Sequence, residues 1–508
     1  DRPRHQRGPA VPTSTVPTIT LSTSVAKDPG VLVVGLAEAS EGEVLMGFPD
    51  DLAKSFTKTL GTDLAGVARQ LGASARPGTS VLVAGPGGLR VVVAGLGPID
   101  VTPEQVRRAV GSAVRLVGGL SASVPQTVTI SLETTEPQVI KGAAEGALLG
   151  AYSYRPASKD AAGIADVVLV TTNRKPEARQ ALDLATATAR AVITARDWVN
   201  TPANLLYPET FADEARAAAR GQKLAVDVWD DKALEKEGFG GIMAVGGGSE
   251  RKPRLVKLAY APRGARFHLA LVGKGITFDT GGLNLKPADG MYTMKCDMAG
   301  AAAVLAATVA IAELGLRIRV TAWASMAENM PSGGSYRPSD VLTMYGGRTV
   351  ENGNSDAEGR LVMADALVKG SEEKPDLVLD VATLTGACVV ALGERVAGLM
   401  ARDDATADLV LDAAEAAGEQ FWQLPIPEDA RPKLDSRVAD LKSTGDKAGG
   451  ALTAAAFLSE FVPAEIPWAH LDIAGPAFNS GSPYDYTPAG GTGTGVRTLI
   501  ALAHALAN

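Results

Sequence analysis

The sequence predicts an α/β protein built from two domains. Strand-like and helix-like segments alternate through both halves of the chain, which is typical of α/β domains. At 508 residues, the chain is also longer than one hydrophobic core usually serves. We therefore expect a smaller N-terminal α/β domain and a larger C-terminal α/β domain with a mixed central sheet.

The composition is that of an ordinary globular protein, with 46% hydrophobic and 21% charged residues. The formal net charge of −8 argues against general binding to nucleic acid or to anionic membranes. No run of about 18 apolar residues appears, so no membrane span is expected. The two cysteines, Cys296 and Cys388, make no disulfide framework, and reduced thiols in the cytoplasm are the simplest interpretation.

The first half begins with a segment rich in Pro, Thr and Ser, and we expect residues 1–29 to be a disordered tail. Residues 30–174 are predicted to form the N-terminal α/β domain, with a largely parallel sheet. Thr102 is an N-cap candidate because Pro103 follows at the first helical position. The strand and helix candidates are, in chain order, Val31–Leu36, Leu52–Leu71, Ser80–Ala84, Arg90–Gly95, Pro103–Val117, Thr127–Leu132, Gln138–Tyr152 and Ala165–Thr171.

An Ala-rich segment with few helix breakers predicts a linker helix over residues 175–204, and residues 205–508 follow as the second domain. The strand candidates of this domain are Leu255–Ala259, His268–Val272, Arg317–Ala324, Asp376–Val381 and Trp468–Ile473. Its helix candidates are Gly300–Glu313, Leu361–Lys369, Thr453–Phe461 and Gly495–Leu506.

Charged residues concentrate on Gly-rich turns between Val272 and Leu361, at the ends of apolar strands. Ligands bind at the carboxyl ends of the strands in open α/β sheets. The charged residues of these turns are Lys274, Asp279, Lys286, Asp297, Asp356, Glu358 and Arg360. Either the four carboxylates lie apart, as helix caps or ion pairs, or cations lie among them, as in two-metal hydrolytic sites.

The ligand atoms of these residues restrict which metal ions could bind. None of the four histidines has ligand spacing to another, so a histidine-based zinc set is excluded. Oxygen ligands favour Mn²⁺ or Mg²⁺ and admit Zn²⁺. A phosphate-binding loop around Gly273–Thr277 is excluded as well, because a Walker motif needs glycine where His268 stands.

Asn354–Leu361 resembles the signature of the leucyl aminopeptidase (cytosol aminopeptidase) family, with Ser355 where Thr is common. The resemblance covers the second half of the chain and the linker, whereas the first 170 residues match only in architecture. Its other segments are Asp197–Asn204, Val272–Gly282, Lys286–Pro287, Met294–Ala301, Glu328–Gly333, Arg337–Pro338, Ala382–Gly386 and Trp468–Gly475.

The resemblance implies a role for each charged residue of the turns. The implied metal ligands are Lys274, Asp279, Asp297, Asp356 and Glu358, and the implied catalytic pair is Lys286 and Arg360. Lys274 ligates only as the neutral amine, so burial and nearby cations are expected to lower its pKa. Arg360 would hold a bicarbonate ion that shuttles a proton. The implied substrate-binding residues are Met294, Asn354, Thr383, Leu384 and Gly386, the last two through backbone groups that also complete the anion site.

The function implied is a metal-dependent aminopeptidase that uses water activated by two divalent ions, manganese, zinc or magnesium. It would hydrolyse N-terminal amino acids, preferably Leu-like, from short peptides with a free N-terminus. The resemblance also implies a cytoplasmic homohexamer, a dimer of trimers.

Three alternatives stand beside this function. Some members of the family have a DNA-binding or regulatory role on the aminopeptidase scaffold, which the acidic charge makes less favoured here. A two-metal phosphoesterase also uses clustered carboxylates, although a lysine among the ligands favours peptide hydrolysis. An inactive scaffold is the third, and the filled family positions argue against it.

Overall fold

The computed structural model describes residues 14–120, 126–154 and 163–507, and it divides the chain into two compact units. The first unit runs to Ile193 and also contains Ser480–Ala489, and the second contains Thr194–Asn479 and the chain from Gly490. Each unit combines helices with sheets, which confirms the predicted α/β class.

The first unit carries the following elements in its described ranges. Its strands are β1 (Thr18–Ser22), β2 (Val31–Ala39), β3 (Gly42–Met46), β4 (Ser80–Ala84), β5 (Arg90–Pro98), β6 (Gln126–Ser131) and β7 (Ile164–Val170). Its helices are α1 (Asp50–Leu60), α2 (Leu64–Gln70), the 3-10 turn Pro86–Gly88, α3 (Pro103–Gly118) and α4 (Pro137–Gly150), and α5 (Pro176–Asn200) leads out of it.

The strands of the first unit form one sheet in the order β1-β7-β6-β2-β5-β4, with β3 beside β2. Pairing is parallel except for β3 against β2 and β4 against β5. Helix α3 begins as predicted, because the Thr102 hydroxyl accepts the N–H of Gln105 and the Gln105 side chain accepts the N–H of Thr102. The predicted helix over 52–71 is instead two helices, since Gly61 ends α1 with a φ of 72°.

Two predicted boundaries are corrected in the first unit. Thr18–Ser22, predicted as part of the tail, pair in parallel with β7, and Ile19 and Leu21 pack against the core. Residues 1–13 of that tail lie outside the described residues. Ser480–Ala489, predicted in the second domain, belong to this unit, because Asp485 pairs with Arg108 at 2.8 Å.

The second unit carries a longer series of elements. Its strands are β8 (Ala225–Trp229), β9 (Arg254–Tyr260), β10 (His268–Asp279), β11 (Arg319–Asn329), β12 (Val341–Thr343), β13 (Thr349–Glu351), β14 (Leu377–Ala382), β15 (Ala397–Ala401), β16 (Phe421–Gln423), β17 (Leu441–Lys442), β18 (Trp468–Asp472), β19 (Phe478–Asn479) and β20 (Gly490–Gly491). Its helices are α6 (Pro208–Ala218), α7 (Asp231–Glu237), α8 (Gly240–Gly246), α9 (Ala288–Met291), α10 (Ala299–Glu313), α11 (Glu358–Ser371), α12 (Gly386–Leu392), α13 (Asp404–Ala417), α14 (Gly450–Ser459) and α15 (Val496–Leu506), with 3-10 turns at Met294–Cys296, Glu428–Ala430 and Pro432–Leu434.

The central sheet of the second unit is mixed, as predicted, with the order β16-β15-β18-β14-β10-β11-β9-β8. The inner strands β18, β14, β10 and β11 are parallel, so their carboxyl ends meet at one edge. Strands β15 and β9 run antiparallel to their inner neighbours. Strand β10 is buried over almost its whole length, as expected for a parallel strand covered on both faces.

Helix α10 packs directly against the middle of β10 and the carboxyl end of β14. A Cβ at Gly273 would lie 2.6 Å from Cα of Ala301, and a Cβ at Gly300 would lie 2.0 Å from O of Val381. Only glycine permits such a close approach of backbones. The turn that precedes α10 is thereby held at the carboxyl edge of the sheet.

One helical stretch, Ala288–Glu313, is long and apolar enough to cross a membrane by length and composition. It includes α10, and 89% of its most apolar window is buried inside the fold, which is typical of a core helix. Cys296, in the same stretch, and Cys388 are both free and buried.

Candidate functional site

Charged side chains from three parts of the second unit meet at the carboxyl edge of the central sheet. Lys274 and Asp279 belong to β10, and Asp297 follows the 3-10 turn before α10. Glu358 begins α11, and Asp356 lies in the turn just before it. The structure therefore brings together the five residues that the sequence predicted as ligands.

Lys274 lies between two buried carboxylates. Its Nζ is 2.8 Å from Asp297 Oδ1 and 2.8 Å from Glu358 Oε1, and it donates to the carbonyl of Thr383 at 3.0 Å. The Thr383 hydroxyl donates to the same Asp297 oxygen at 2.8 Å. The three charged side chains are at most 6% exposed, so water screens their attraction little.

Lys286 pairs with the other two carboxylates. Its Nζ lies 2.8 Å from Asp279 Oδ2 and 2.5 Å from Asp356 Oδ1. The side chain of Asp279 is 2% exposed, whereas those of Lys286 and Asp356 are 18% and 33% exposed. The cluster is thus closed on the side of Lys274 and open to solvent on the side of Lys286.

The carboxylates are spaced as a metal ion would require. Asp279, Asp356 and Glu358 each offer one oxygen, and these three oxygens lie within 4.8 Å of one another. Within the described part of the chain, Asp297 Oδ2 and Glu358 Oε2 are buried and have no hydrogen-bond partner. Buried polar atoms normally have a partner, so these oxygens fit a bound cation.

The neighbouring charges alter the protonation of the cluster. Burial, and then the charge of Glu358, raise the pKa of Asp279 to about 6, against the opposing effects of Lys274 and Lys286. Burial is also the main cause that raises the pKa of Asp297 well above its usual value. Burial alone would lower the pKa of Lys274, but Asp297, Glu358 and Asp279 together raise it. Without a bound metal ion Lys274 is therefore an ammonium ion, and the lowered pKa predicted from the sequence concerns the site with its cations in place.

Arg360 lies in the first turn of α11, beside the carboxylates, and is 7% exposed. Its Nη1 donates to the carbonyl of Ser443 at 2.8 Å, and its Nε has no hydrogen-bond partner among the described residues. Burial lowers the pKa of Arg360 to about 10, although Glu358 and Asp472 oppose this shift. A buried guanidinium with an N–H group that is not yet hydrogen-bonded is suited to bind a small anion.

Three residues predicted to contact substrate lie next to the carboxylates. Met294 begins the 3-10 turn that leads to Asp297 and is half-buried. The Asn354 side chain accepts the N–H of Asp356 at 2.9 Å, and Thr383 bonds to Asp297 as described above. Asn354 and Thr383 thus bond directly to residues of the cluster, and Met294 precedes Asp297 by three positions.

The other two predicted substrate contacts, Leu384 and Gly386, flank the start of α12. The N–H of Leu384 donates to Asp472 Oδ1 at 3.2 Å, and the Thr385 hydroxyl donates to Asp472 Oδ2 at 2.7 Å. The Leu384 amide is thus engaged within the protein. Gly386 is exposed, and nothing lies within 4 Å of the position that a Cβ would take there.

Asn329 contacts the cluster and Tyr336 contacts the turn that carries Asp356, and neither was predicted as a site residue from the sequence. The Asn329 amide donates to Asp279 Oδ1 at 2.8 Å and to the carbonyl of Ser355 at 3.0 Å. The Tyr336 hydroxyl donates to the same carbonyl at 2.7 Å. One signal for Asn329 was available, because it is polar and ends β11, the parallel neighbour of β10.

Two family models match the chain. The catalytic domain of the cytosol aminopeptidase family matches residues 193–500, and the N-terminal domain of the same family matches residues 33–160. A relative from Cutibacterium acnes, named "Probable cytosol aminopeptidase", is 52% identical, with 93% of each chain covered. A relative of the same name from Streptomyces avermitilis is 48% identical, with 96% of this chain and 98% of the other covered.

Solved structures resemble this fold over nearly its whole length. The bottromycin maturation enzyme BotP in complex with Mn superposes with a TM-score of 0.83 at 40% identity, covering 94% of this chain and all of that one (100%). A lysine-to-glutamate mutant of tomato leucine aminopeptidase superposes with a TM-score of 0.84 at 31% identity, covering 98% of both chains.

Proposed function

The chain belongs to the cytosol aminopeptidase family and is a peptidase, and on this premise we propose that it uses two divalent metal ions to remove N-terminal amino acids from short peptides. The observation that carries the proposal is the convergence of Asp279, Asp356 and Glu358 within 4.8 Å. Lys274 and Lys286 compensate only part of the negative charge of the four clustered carboxylates, and divalent cations would compensate the rest.

We assign the ligands as the family resemblance implies. One ion would be held by Lys274, Asp279, Asp297 and Glu358, and the other by Asp279, Asp356, Glu358 and the carbonyl of Asp356. The partnerless oxygens of Asp297 and Glu358 support the first set, and the mutual approach of Asp279, Asp356 and Glu358 supports the second. Asp279 and Glu358 would then belong to both ligand sets.

Bound divalent ions supply Lewis acidity, which polarises a peptide carbonyl and lowers the pKa of a water molecule. Lys286 would donate a hydrogen bond to the oxyanion that develops on that carbonyl. Burial alone would lower the pKa of Lys286, but the charges of Asp279 and Glu358 have the larger combined effect and raise it above its usual value. The side chain therefore remains a charged donor. A donor of this kind typically contributes about 100- to 1000-fold in kcat.

Arg360 would hold the group that moves the proton. None of the seven charged residues of the turns remains free to act as general base, and Nε of the buried Arg360 has no hydrogen-bond partner among the described residues. We propose that it would hold bicarbonate, which would supply the proton-accepting group that these side chains lack. The planar guanidinium suits two parallel hydrogen bonds to such an anion.

The substrate would bind beside the cluster. We propose that Met294, Asn354 and Thr383 surround the first side chain, and that backbone groups of Leu384 and Gly386 complete the site. A half-buried methionine adapts its shape readily, which supports a preference for Leu-like residues with tolerance for others.

The donor atoms of the proposed ligands restrict the choice of metal ion. Once it has lost its proton to the nearby cations, Lys274 would provide a nitrogen ligand, and the other ligands would be carboxylate or carbonyl oxygens, which suits Mn²⁺ or Mg²⁺ and admits Zn²⁺. The similar enzyme BotP is named as a complex with Mn, so Mn²⁺ is the first ion to test.

Chelation followed by re-addition of single metals tests the proposal. We expect the metal-free protein to lose cleavage of leucine p-nitroanilide, and Mn²⁺, Zn²⁺ or Mg²⁺ to restore it. The N-acetylated substrate should remain uncleaved, because a free amine is required. Full activity after verified metal removal would refute the proposal, and preferential cleavage of p-nitrophenyl phosphate would favour a phosphoesterase.

Assembly and location remain predictions of the family resemblance. We propose a homohexamer, a dimer of trimers, in the cytoplasm. Sedimentation of the purified chain would test the assembly, since a monomeric species at cellular concentrations would contradict it.

A further inference from the structure

The strand β11 ends directly beside β10, and its last residue faces the last residue of β10. Asp279 and Asn329 are register partners in this parallel pair. Asn329 is 1% exposed and Asp279 is 2% exposed, so both side chains are shut off from water. The NH₂ group of this buried amide finds its hydrogen-bond partners within the protein, whereas its Oδ1 has none among the described residues.

The amide of Asn329 bonds to two groups that only accept. Its Nδ2 donates to Asp279 Oδ1 at 2.8 Å and to the carbonyl of Ser355 at 3.0 Å. A carboxylate and a carbonyl offer no proton, so the NH₂ end of the amide has to face them. One side chain therefore joins Asp279 on β10 to the residue that precedes Asp356.

These bonds determine how Asp279 points. Its Oδ1 accepts from Asn329 and also from the N–H of Gly281 at 2.8 Å, whereas its Oδ2 lies 2.8 Å from Lys286 Nζ. With Oδ1 held by two donors, Oδ2 is directed into the carboxylate cluster. Neutral donors of this kind fix a carboxylate without competing for its charge.

The same amide also holds the turn that carries Asp356. The carbonyl of Ser355 accepts from Asn329 and from the Tyr336 hydroxyl at 2.7 Å. The Ser355 hydroxyl donates to the carbonyl of Gly281 at 2.7 Å, so the turn is tied to the segment after β10 as well. Asn329 thus bonds at once to a carboxylate of the cluster and to the main chain of this turn.

We infer that Asn329 is a positioning residue that sets the distance and orientation of Asp279 and Asp356 for metal binding. The inference rests on the proposed metal site. Loss of the amide would leave the ligands present but misplaced, and groups behind metal ligands typically contribute about 10- to 100-fold to affinity.

Calorimetric titration of the metal-stripped full chain with Mn²⁺ tests the inference. Asn329→Asp keeps the shape but places a carboxylate against Asp279, and Asn329→Ala removes the amide altogether. We expect both variants to bind Mn²⁺ about 10- to 100-fold more weakly than the unaltered protein. The Ala variant provides the answer if the Asp variant does not fold.

A matched control distinguishes a loss of metal affinity caused by misplaced ligands from a general loss of fold stability. Thr321 also lies on β11, is 1% exposed, and bonds to His268 at 3.0 Å, away from the carboxylates. Thr321→Val should lower the unfolding temperature and leave the Mn²⁺ affinity within about twofold, because the ligands are untouched. Unchanged Mn²⁺ affinity in folded Asn329→Ala would overturn the inference.

A second comparison tests whether both bonds of Asn329, to Asp279 and to the Ser355 carbonyl, contribute to metal binding. Tyr336→Phe removes the other donor to the Ser355 carbonyl but none to Asp279, so we expect a smaller loss than in Asn329→Ala. Equal losses would mean that the bond to Asp279 contributes nothing, and would overturn the inference. An unaltered protein that binds no Mn²⁺ would overturn the proposed metal site itself, which is a distinct result.

Discussion

Lys274 and Asp297 form an ion pair at 2.8 Å with almost no access to water, at 3% and 6% exposure of their side chains. Lys274 also lies 2.8 Å from Glu358, so one ammonium group compensates two buried carboxylates. The charge balance at the rear of the site thus depends on a single lysine. This arrangement predicts an effect on stability that is separate from any effect on catalysis.

Lys274→Met should lower the free energy of unfolding of the metal-stripped protein by about 3–5 kcal/mol, the usual cost of removing one partner from a buried ion pair. Urea unfolding with and without the substitution measures it. Arg216→Met is the control, because the pair with Asp213 is exposed and should contribute less than about 1 kcal/mol. Equal small losses in both variants would contradict the prediction.

Lys286→Met should lower kcat for leucine p-nitroanilide by about 100- to 1000-fold, because the oxyanion loses its donor. KM should change much less, since the substrate ground state does not depend on that bond. Steady-state kinetics of the metal-loaded enzyme measure both. Lys252→Met is the control, because this lysine donates to the carbonyl of Ser249 at 2.9 Å and should leave kcat unchanged.

Gly359→Ala should inactivate the enzyme without unfolding it. The new Cβ would lie 2.4 Å from Cε and 2.7 Å from Nζ of Lys274, so the flexible end of the lysine must move. A displacement of this size in a catalytic site can lower activity about 100-fold. Activity and circular dichroism measure the two effects.

Gly333→Ala is the matched control for that substitution. Nothing lies within 4 Å of the Cβ position at Gly333, so activity should be retained. Full activity in Gly359→Ala would contradict the prediction, because it would show that activity does not depend on the position of the Lys274 side chain.

His268→Gln should reduce the loss of stability in acid. Burial, followed by the charge of Arg319, lowers the pKa of His268 from 6.5 to about 4 in the folded protein, and Lys257 acts in the same direction against Glu373 and Asp376. The unfolded chain therefore takes up a proton near pH 6.5, but the folded chain does so only near pH 4. The free energy of unfolding should fall as the pH drops across this interval.

Urea unfolding at several pH values between about 7 and 4 measures how steeply the free energy of unfolding falls with pH in the unaltered protein and in His268→Gln. The glutamine cannot take up the proton, so the variant should show a shallower decline. Identical slopes would mean that His268 makes no contribution to acid sensitivity.

Much of the site could be predicted because it is encoded in short segments. Lys274 and Asp279 sit on one strand end, and Asp356, Glu358 and Arg360 sit within one helix start, so each group is local in sequence. Their glycine-rich surroundings distinguish them from surface charges. The element candidates around them also follow from local patterns, since β10, α10 and α11 are strongly apolar or Ala-rich.

Other features depend on contacts between distant segments. Thr18–Ser22 alternates polar residues with Ile19 and Leu21, but so short a segment is marked as a strand only by its pairing with β7. Ser480–Ala489 resembles any polar loop, but Asp485 finds Arg108 across 377 positions of sequence. Asn329 is one polar residue among many until β11 is placed next to β10.

By itself the sequence determined the α/β class, the family and the residues that gather at the strand ends, because these depend on local periodicity and on short motifs. Only the tertiary structure decided which lysine faces which carboxylate and which amide holds Asp279 and Ser355 together. Those choices depend on strand order and register, which bring residues far apart in sequence to within 3 Å, and no local pattern specifies them.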